Sequence, residues 1–126
     1  MTKAQNTKQY DLEERSYLFA LNVRAFVKKL TKSISNIEDG KQLVRASGSV
    51  AANYIEANES LSKKDFIYRI KICRKEAKEC RLFIRLLDIS NKPTYEDARD
   101  KLIQEATELM KIFGSILVKS DKMHTK

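Results

Sequence analysis

Five cations recur along one stretch of the chain at intervals of 3, 4, 3 and 4: Lys71, Arg74, Lys78, Arg81 and Arg85. On a helix this spacing lines them along one edge over roughly 21 Å at about 1.5 Å per residue. Such a rod can follow a line of phosphates in duplex or folded RNA or DNA without reading bases. None of the first four has an acidic residue three or four positions away, and only Arg85 has one, Asp88. Like charges at i,i+4, as in Arg74–Lys78 and Arg81–Arg85, cost a few tenths of a kcal/mol each, so a compensating partner is expected. Three are open: carboxylates of a neighbouring helix such as Asp97, Asp100, Glu105 and Glu108, a phosphate backbone, or an acidic protein surface. Tyr68 alone extends the row toward Lys64, which makes base stacking on single strands the weaker version.

A second polar stripe, Gln42, Arg45, Ser49, Asn53 and Glu56, runs at intervals of 3, 4, 4 and 3 beside the small residues Ala46, Ser47, Gly48, Ala51 and Ala52. Small side chains allow another helix to approach, and a mid-helix glycine costs about 1 kcal/mol relative to alanine, so Gly48 is expected at a tight contact. Glu76 and Glu79 interrupt an otherwise apolar line through Ile72 and Phe83. Together these residues predict a partly buried polar network, with Arg45 opposite a carboxylate, fixing register within a bundle or between subunits.

Catalysis has little to stand on. Carboxylate-bridged dimetal bundles need Glu-x-x-His pairs on facing helices, and the one histidine, His124, lies near the C-terminus. The sequence contains no Cys/His metal spacing or Gly-rich phosphate loop, and no histidine base for a cysteine nucleophile in the body of the chain. No enzyme activity, metal or cofactor is expected.

The elements that must carry these rows are helices. The first is expected from an Asp11 cap with Glu14 reaching back, to about Leu30, with Phe19, Val23, Phe26 and Leu30 on one face. Asp39 with Gln42 predicts a second helix from about Gly40 to Asn58, with Leu43, Ser47, Val50 and Tyr54 inward. Ser62 caps a third, to about Ile89, bearing Phe66, Ile70, Cys73, Ala77, Cys80, Ile84 and Leu87. After Asn91-Lys92-Pro93, Thr94 with Asp97 predicts a fourth to about Val118, carrying Leu102, Ala106, Leu109, Phe113 and Ile116. One medium and two short connections favour an all-α, antiparallel up-down-up-down four-helix bundle. Ile72, Phe83 and Leu86 lie off the main seam, as part of a wide core stripe or as a self-association surface.

At 126 residues the chain is one domain, 1–126, with a core at about 11–119 and flexible tails at 1–10 and 120–126. Three Gly and one Pro leave little turn material, and 25 Lys plus Arg against 17 Asp plus Glu give a net charge of +8, which favours polyanionic or acidic partners. Cys73 and Cys80, seven residues apart on one helix, are about 10 Å apart along its axis. They are too far apart to bridge and are expected as reduced core thiols of a cytoplasmic protein. No apolar run approaches the ~18 residues of a membrane span, and none follows Met1 as in a signal peptide.

The run Gln42 to Ala57, then Ser62-Lys63-Lys64-Asp65-Phe66 and Lys75-Glu76-Ala77-Lys78-Glu79, resembles the bacterial four-helix-bundle proteins named for 23S ribosomal RNA intervening sequences. Asp11-Leu12, Arg15 and Phe19-Ala20 resemble that family's opening, so the similarity covers roughly residues 10 to 118. Its polar block falls on Gln42, Arg45, Ser47, Ser49, Asn53, Glu56, Glu76 and Glu79. The resemblance implies a small antiparallel bundle, usually a ring of five, with no established activity. Architecturally similar accessory proteins of diversity-generating retroelements are basic pentamers that bind nucleic acid and a reverse transcriptase. The expected function is a non-enzymatic homopentamer that holds structured RNA or DNA through the basic row. The alternative is a protein-interaction scaffold or accessory subunit with no nucleic-acid role, the row then meeting an acidic protein.

Overall fold

The computed structural model describes the backbone of residues 8–125 and the side chains of residues 12–121. Four helices follow one another: α1 (Lys8–Lys29), α2 (Ile34–Asn58), α3 (Lys63–Leu86) and α4 (Pro93–Thr125). Each packs on its two neighbours, and every seam runs antiparallel. Arg24 meets Ser47 while Asn58 meets Glu13 across α1/α2. Arg69 meets Asn53 while Asp88 meets Asn36 across α2/α3. Across α1/α4, Arg15 meets Glu105 and Lys29 meets Tyr95. The all-α, up-down-up-down bundle is therefore the fold.

Its core is the predicted one. Phe19, Val23, Phe26, Leu43, Val50, Tyr54, Ile70, Cys73, Cys80, Ile84, Leu102, Leu109 and Phe113 are buried, while Phe66 and Ile116 are half-buried at the margin. Tyr54 and Phe113 meet across the centre with ring centroids 6.0 Å apart. Both cysteines are free and buried, and burial pushes each thiol up to about 12, with Glu76 and Glu79 adding to the effect at Cys80. Ile72 and Phe83 are half-buried, and Phe83 packs on the core; Leu86 is exposed.

Helix boundaries differ from expectation for local reasons. Helix α1 already runs from Lys8, so Asp11 lies inside it rather than capping it, and the Asp11 side chain falls outside the described residues. Ser33, not Asp39, caps α2, its hydroxyl accepting from the Asn36 N–H. Ser62 caps α3 as predicted, through the Asp65 N–H. Pro93 opens α4, where its missing N–H costs nothing, so Thr94 is already helical. The α4 helix continues to Thr125, through part of the tail expected to be flexible. Buried Asn36 ties the two connections at this end together. It donates to the Thr31 and Asp88 carbonyls and accepts from the Asp88 N–H. Ser90 and Asn91 then turn the chain in the left-handed region, both at φ 56°.

Candidate nucleic-acid interface

The regular 3/4 spacing on an uninterrupted helix places Lys71, Arg74, Lys78, Arg81 and Arg85 in one row along α3, with Arg74 and Arg81 against α4 and Lys78 and Arg85 on the outer surface. All five are exposed except Arg81, which is half-buried. The carboxylates that α4 was expected to offer do not answer them. Glu105 and Glu108 both bind Arg15 of α1, each at 2.6 Å, and Asp97 pairs with Lys101 at 3.4 Å. Asp100 is exposed. Among the described residues, no carboxylate comes within 4.0 Å of any cation in the row.

Where Arg74 and Arg81 meet α4, the lining is neutral or basic. The Arg81 Nη1 donates to Thr107 Oγ1 at 3.4 Å, and Thr107 in turn donates to the Ile103 carbonyl at 2.8 Å. Farther along, a Cβ built on Gly114 would lie 4.0 Å from Arg74 Nε, so the guanidinium stretches over a position with no side chain. Lys111 sits between these two contacts on α4 and adds a sixth cation, one the sequence reading did not include. It had no periodicity to betray it, because it lies on another helix.

The polar stripe on the α2 side of α3 divides into three parts. Arg45 lies 3.7 Å from Glu76 Oε2 and 3.6 Å from Glu79 Oε1, and its Nε donates to Gln42 Oε1 at 3.4 Å. Asn53 donates to the Ser49 carbonyl and Oγ and accepts from Arg69 Nη1 at 2.9 Å. Ser47 is fully buried and turned toward α1, where it accepts from Arg24. Glu56 is exposed and its carboxylate joins none of these groups. Glu76 is 6% exposed, and its Oε1 has no hydrogen-bond partner, an unsatisfied acceptor of the kind that costs free energy when buried.

Arg24 and Arg69 complete this network and were not singled out from the sequence. Gly48 could have pointed to Arg24. A Cβ there would come 3.2 Å from Arg24 Nη2, so the glycine makes room for a guanidinium, which also donates to the Ala20 and Val44 carbonyls. The expected tight contact exists, but with an arginine rather than a helix backbone.

Among the described residues no group of three or more His, Cys, Asp or Glu side chains could hold a metal ion, and no helix is long and apolar enough to cross a membrane. The model of the family described as 23S rRNA-intervening sequence protein matches residues 8–115. No curated protein sequence matches the chain. Among solved structures, the chain is similar to a protein of unknown function from the S23 ribosomal protein family of Bacteroides thetaiotaomicron. The two share 27% identity and a TM-score of 0.73, over 84% of this chain and 97% of that one.

Proposed function

The chain belongs to the 23S rRNA-intervening sequence protein family, and from that premise we propose that it is a non-enzymatic, homo-oligomeric bundle that grips structured RNA or DNA by the backbone through the basic row of α3. The observation that carries this proposal is that, among the described residues, no carboxylate lies within 4.0 Å of any of the five cations, with Glu105 and Glu108 paired with Arg15 and Asp97 with Lys101. An arrangement of like charges that the fold does not neutralise is matched by a ligand that brings the opposite charge as a regular line. In a ring of five, the assembly the resemblance implies, the row is presented five times, and avidity makes weak single contacts effective. Exposed Leu82 and Leu86 beside the row, and Tyr17, Leu18 and Leu21 on α1, are apolar surface available for self-association.

Fluorescence anisotropy of a labelled structured RNA, run beside a Lys78/Arg81/Arg85→Gln variant, tests the proposal. If about three phosphates are neutralised, a fourfold rise in salt weakens binding roughly 40-fold. The triple variant should stay folded, by circular dichroism, and lose binding. No binding by the parent protein at low salt would remove nucleic acid as the ligand and turn the row toward an acidic protein. Unfolding of the triple variant would make the row structural. Light scattering of the same samples reports the oligomeric state.

A further inference from the structure

An open cleft of about 560 Å³ between α1 and α4 is lined by Glu14 and Glu105 as well as by Arg15, Lys29 and Lys101, so its charges largely cancel. One of about 410 Å³ on the outer surface of α3 includes Glu79 beside Lys75, Lys78 and Arg85. A third, about 350 Å³, lies between α3 and α4 and differs from both: Arg74 and Arg81 line it from one helix, Lys111 from the other, and no carboxylate lines it.

Building on the nucleic-acid proposal above, we infer that this α3/α4 cleft is a discrete seat for one backbone phosphodiester, with Arg74, Arg81 and Lys111 as its cationic walls and Gly114 as its open floor. Three features favour a seat over a diffuse positive surface. Two helices contribute cations to one concave site, so a phosphate there is approached from two sides. Arg81 is oriented by Thr107 through a single N–H, and its other guanidinium N–H groups make no hydrogen bond to the described residues. Gly114 leaves open the volume beneath Arg74 that any larger side chain would occupy. Glu108, one turn before Lys111, does not close the site, because its two oxygens accept from Arg15 and Gln104.

The seat and the diffuse surface make different predictions for a substitution that keeps the charge and for two that remove one charge at different places. Gly114→Leu fills the cleft without altering net charge, while Gly114→Ala adds only a Cβ at ordinary contact distance and controls for helix propensity. Lys111→Gln removes a cation from the cleft, and Lys101→Gln removes one from the opposite side of α4. The probe is the same labelled structured RNA, titrated at two salt concentrations, with folding checked by circular dichroism.

With a seat, Lys111→Gln weakens binding about tenfold and lowers the salt slope by about one, whereas Lys101→Gln changes affinity less than about twofold. Gly114→Leu weakens binding at least about fivefold, and Gly114→Ala binds as the parent does. Equal losses for the two lysine variants, together with parent-like binding by Gly114→Leu, would overturn the seat while leaving the basic row as the binding surface. Failure of the parent itself to bind would overturn both.

Discussion

On the α2 side of α3, Arg69 donates to Asn53 at 2.9 Å, and Glu76 and Glu79 draw Arg45 to within 3.7 Å. On the α4 side, Arg81 meets Thr107, Arg74 lies over Gly114, and both share a cleft with Lys111 that no carboxylate lines. The same helix thus has one edge whose charges are answered inside the protomer and one whose charges are not. The difference originates in α4, whose carboxylates Glu105 and Glu108 pair with Arg15 of α1, while no carboxylate lines the cleft where Arg74 and Arg81 meet α4. Charge segregation on α4, with Glu105 and Glu108 toward α1 and Lys111 toward α3, leaves the cations of α3 without a partner within 4.0 Å among the described residues. A net charge of +8 is compatible with either arrangement; the placement of two glutamates decides between them.

Lys111→Glu should break the comparison most severely. It places a carboxylate between Arg74 and Arg81 and makes the α4 edge resemble the α2 edge. RNA binding should fall about 100-fold at low salt, since one phosphate contact is lost and one repulsion gained. Thermal stability should hold or rise by a few tenths of a kcal/mol, the usual worth of an exposed ion pair. Anisotropy and thermal melts of the same sample check both halves. Unchanged binding would mean that the α4 side of α3 is not the binding edge.

Asn53→Leu works on the other edge and should have the opposite profile. It removes the acceptor of the Arg69 guanidinium and the bonds to Ser49, leaving a half-buried arginine unpaired. The expected cost is about 1–2 kcal/mol of folding stability, read as a lower urea midpoint, with RNA affinity per folded protomer unchanged. Glu79→Ala should do less, because its partner Arg45 is 54% exposed and solvent already screens the pair. If Asn53→Leu weakened RNA binding with stability intact, the two edges would not be functionally separate.

Much of the fold was legible in the residues because apolar spacing of 3 and 4 is a local signal, and it located most core positions of all four helices, though not Leu12, Ala20, Ala57 or Ile89. Helix starts were less legible, because capping pairs are short and ambiguous. Asp39 with Gln42 has the same form as a true cap, yet Ser33 six residues earlier does the capping. The basic row was legible for the same periodic reason. Its surroundings were not: whether Glu105 and Glu108 face Arg15 or Arg81 depends on how α4 is rotated in the bundle, and Lys111 joins the row only through that rotation. Arg24 and Arg69 were missed because neither belongs to the periodic rows read from the sequence, and each is recognisable only once Ser47 and Asn53 face it. The expected site residue Glu56 turned out to share a stripe with Asn53 in sequence but not a hydrogen bond in space.

Arg15→Met tests the cause of the asymmetry at the smallest cost. Arg15 Nε and Nη2 donate to the two oxygens of Glu105 at 2.6 and 2.9 Å, and Nη2 also donates to Glu108. These bonds, Glu105's first, raise the guanidinium's affinity for its proton above the ordinary value. The Gln104 side chain and then Arg15 hold the Glu108 carboxyl below its usual range. A carboxyl whose ionisation is easier in the folded state stabilises the fold above its unfolded value, about 4.3, and that contribution is lost as pH falls through the folded value. Methionine keeps much of the apolar stem and removes the charge, so the variant should be about 1 kcal/mol less stable than the parent at pH 7. The gap should close on acidification, as the parent loses the same interaction. Urea unfolding of both proteins at a series of pH values downward from 7 measures it, and a gap that does not narrow at any acidic pH would assign the contact to packing rather than charge. Freed from Arg15, Glu105 and Glu108 would also be available to the basic row, so RNA binding by Arg15→Met should weaken at pH 7 even though the substitution lies on α1, outside the binding edge. Parent-like binding would show that the α3 cations stay open to ligand for reasons other than the commitment of these two glutamates.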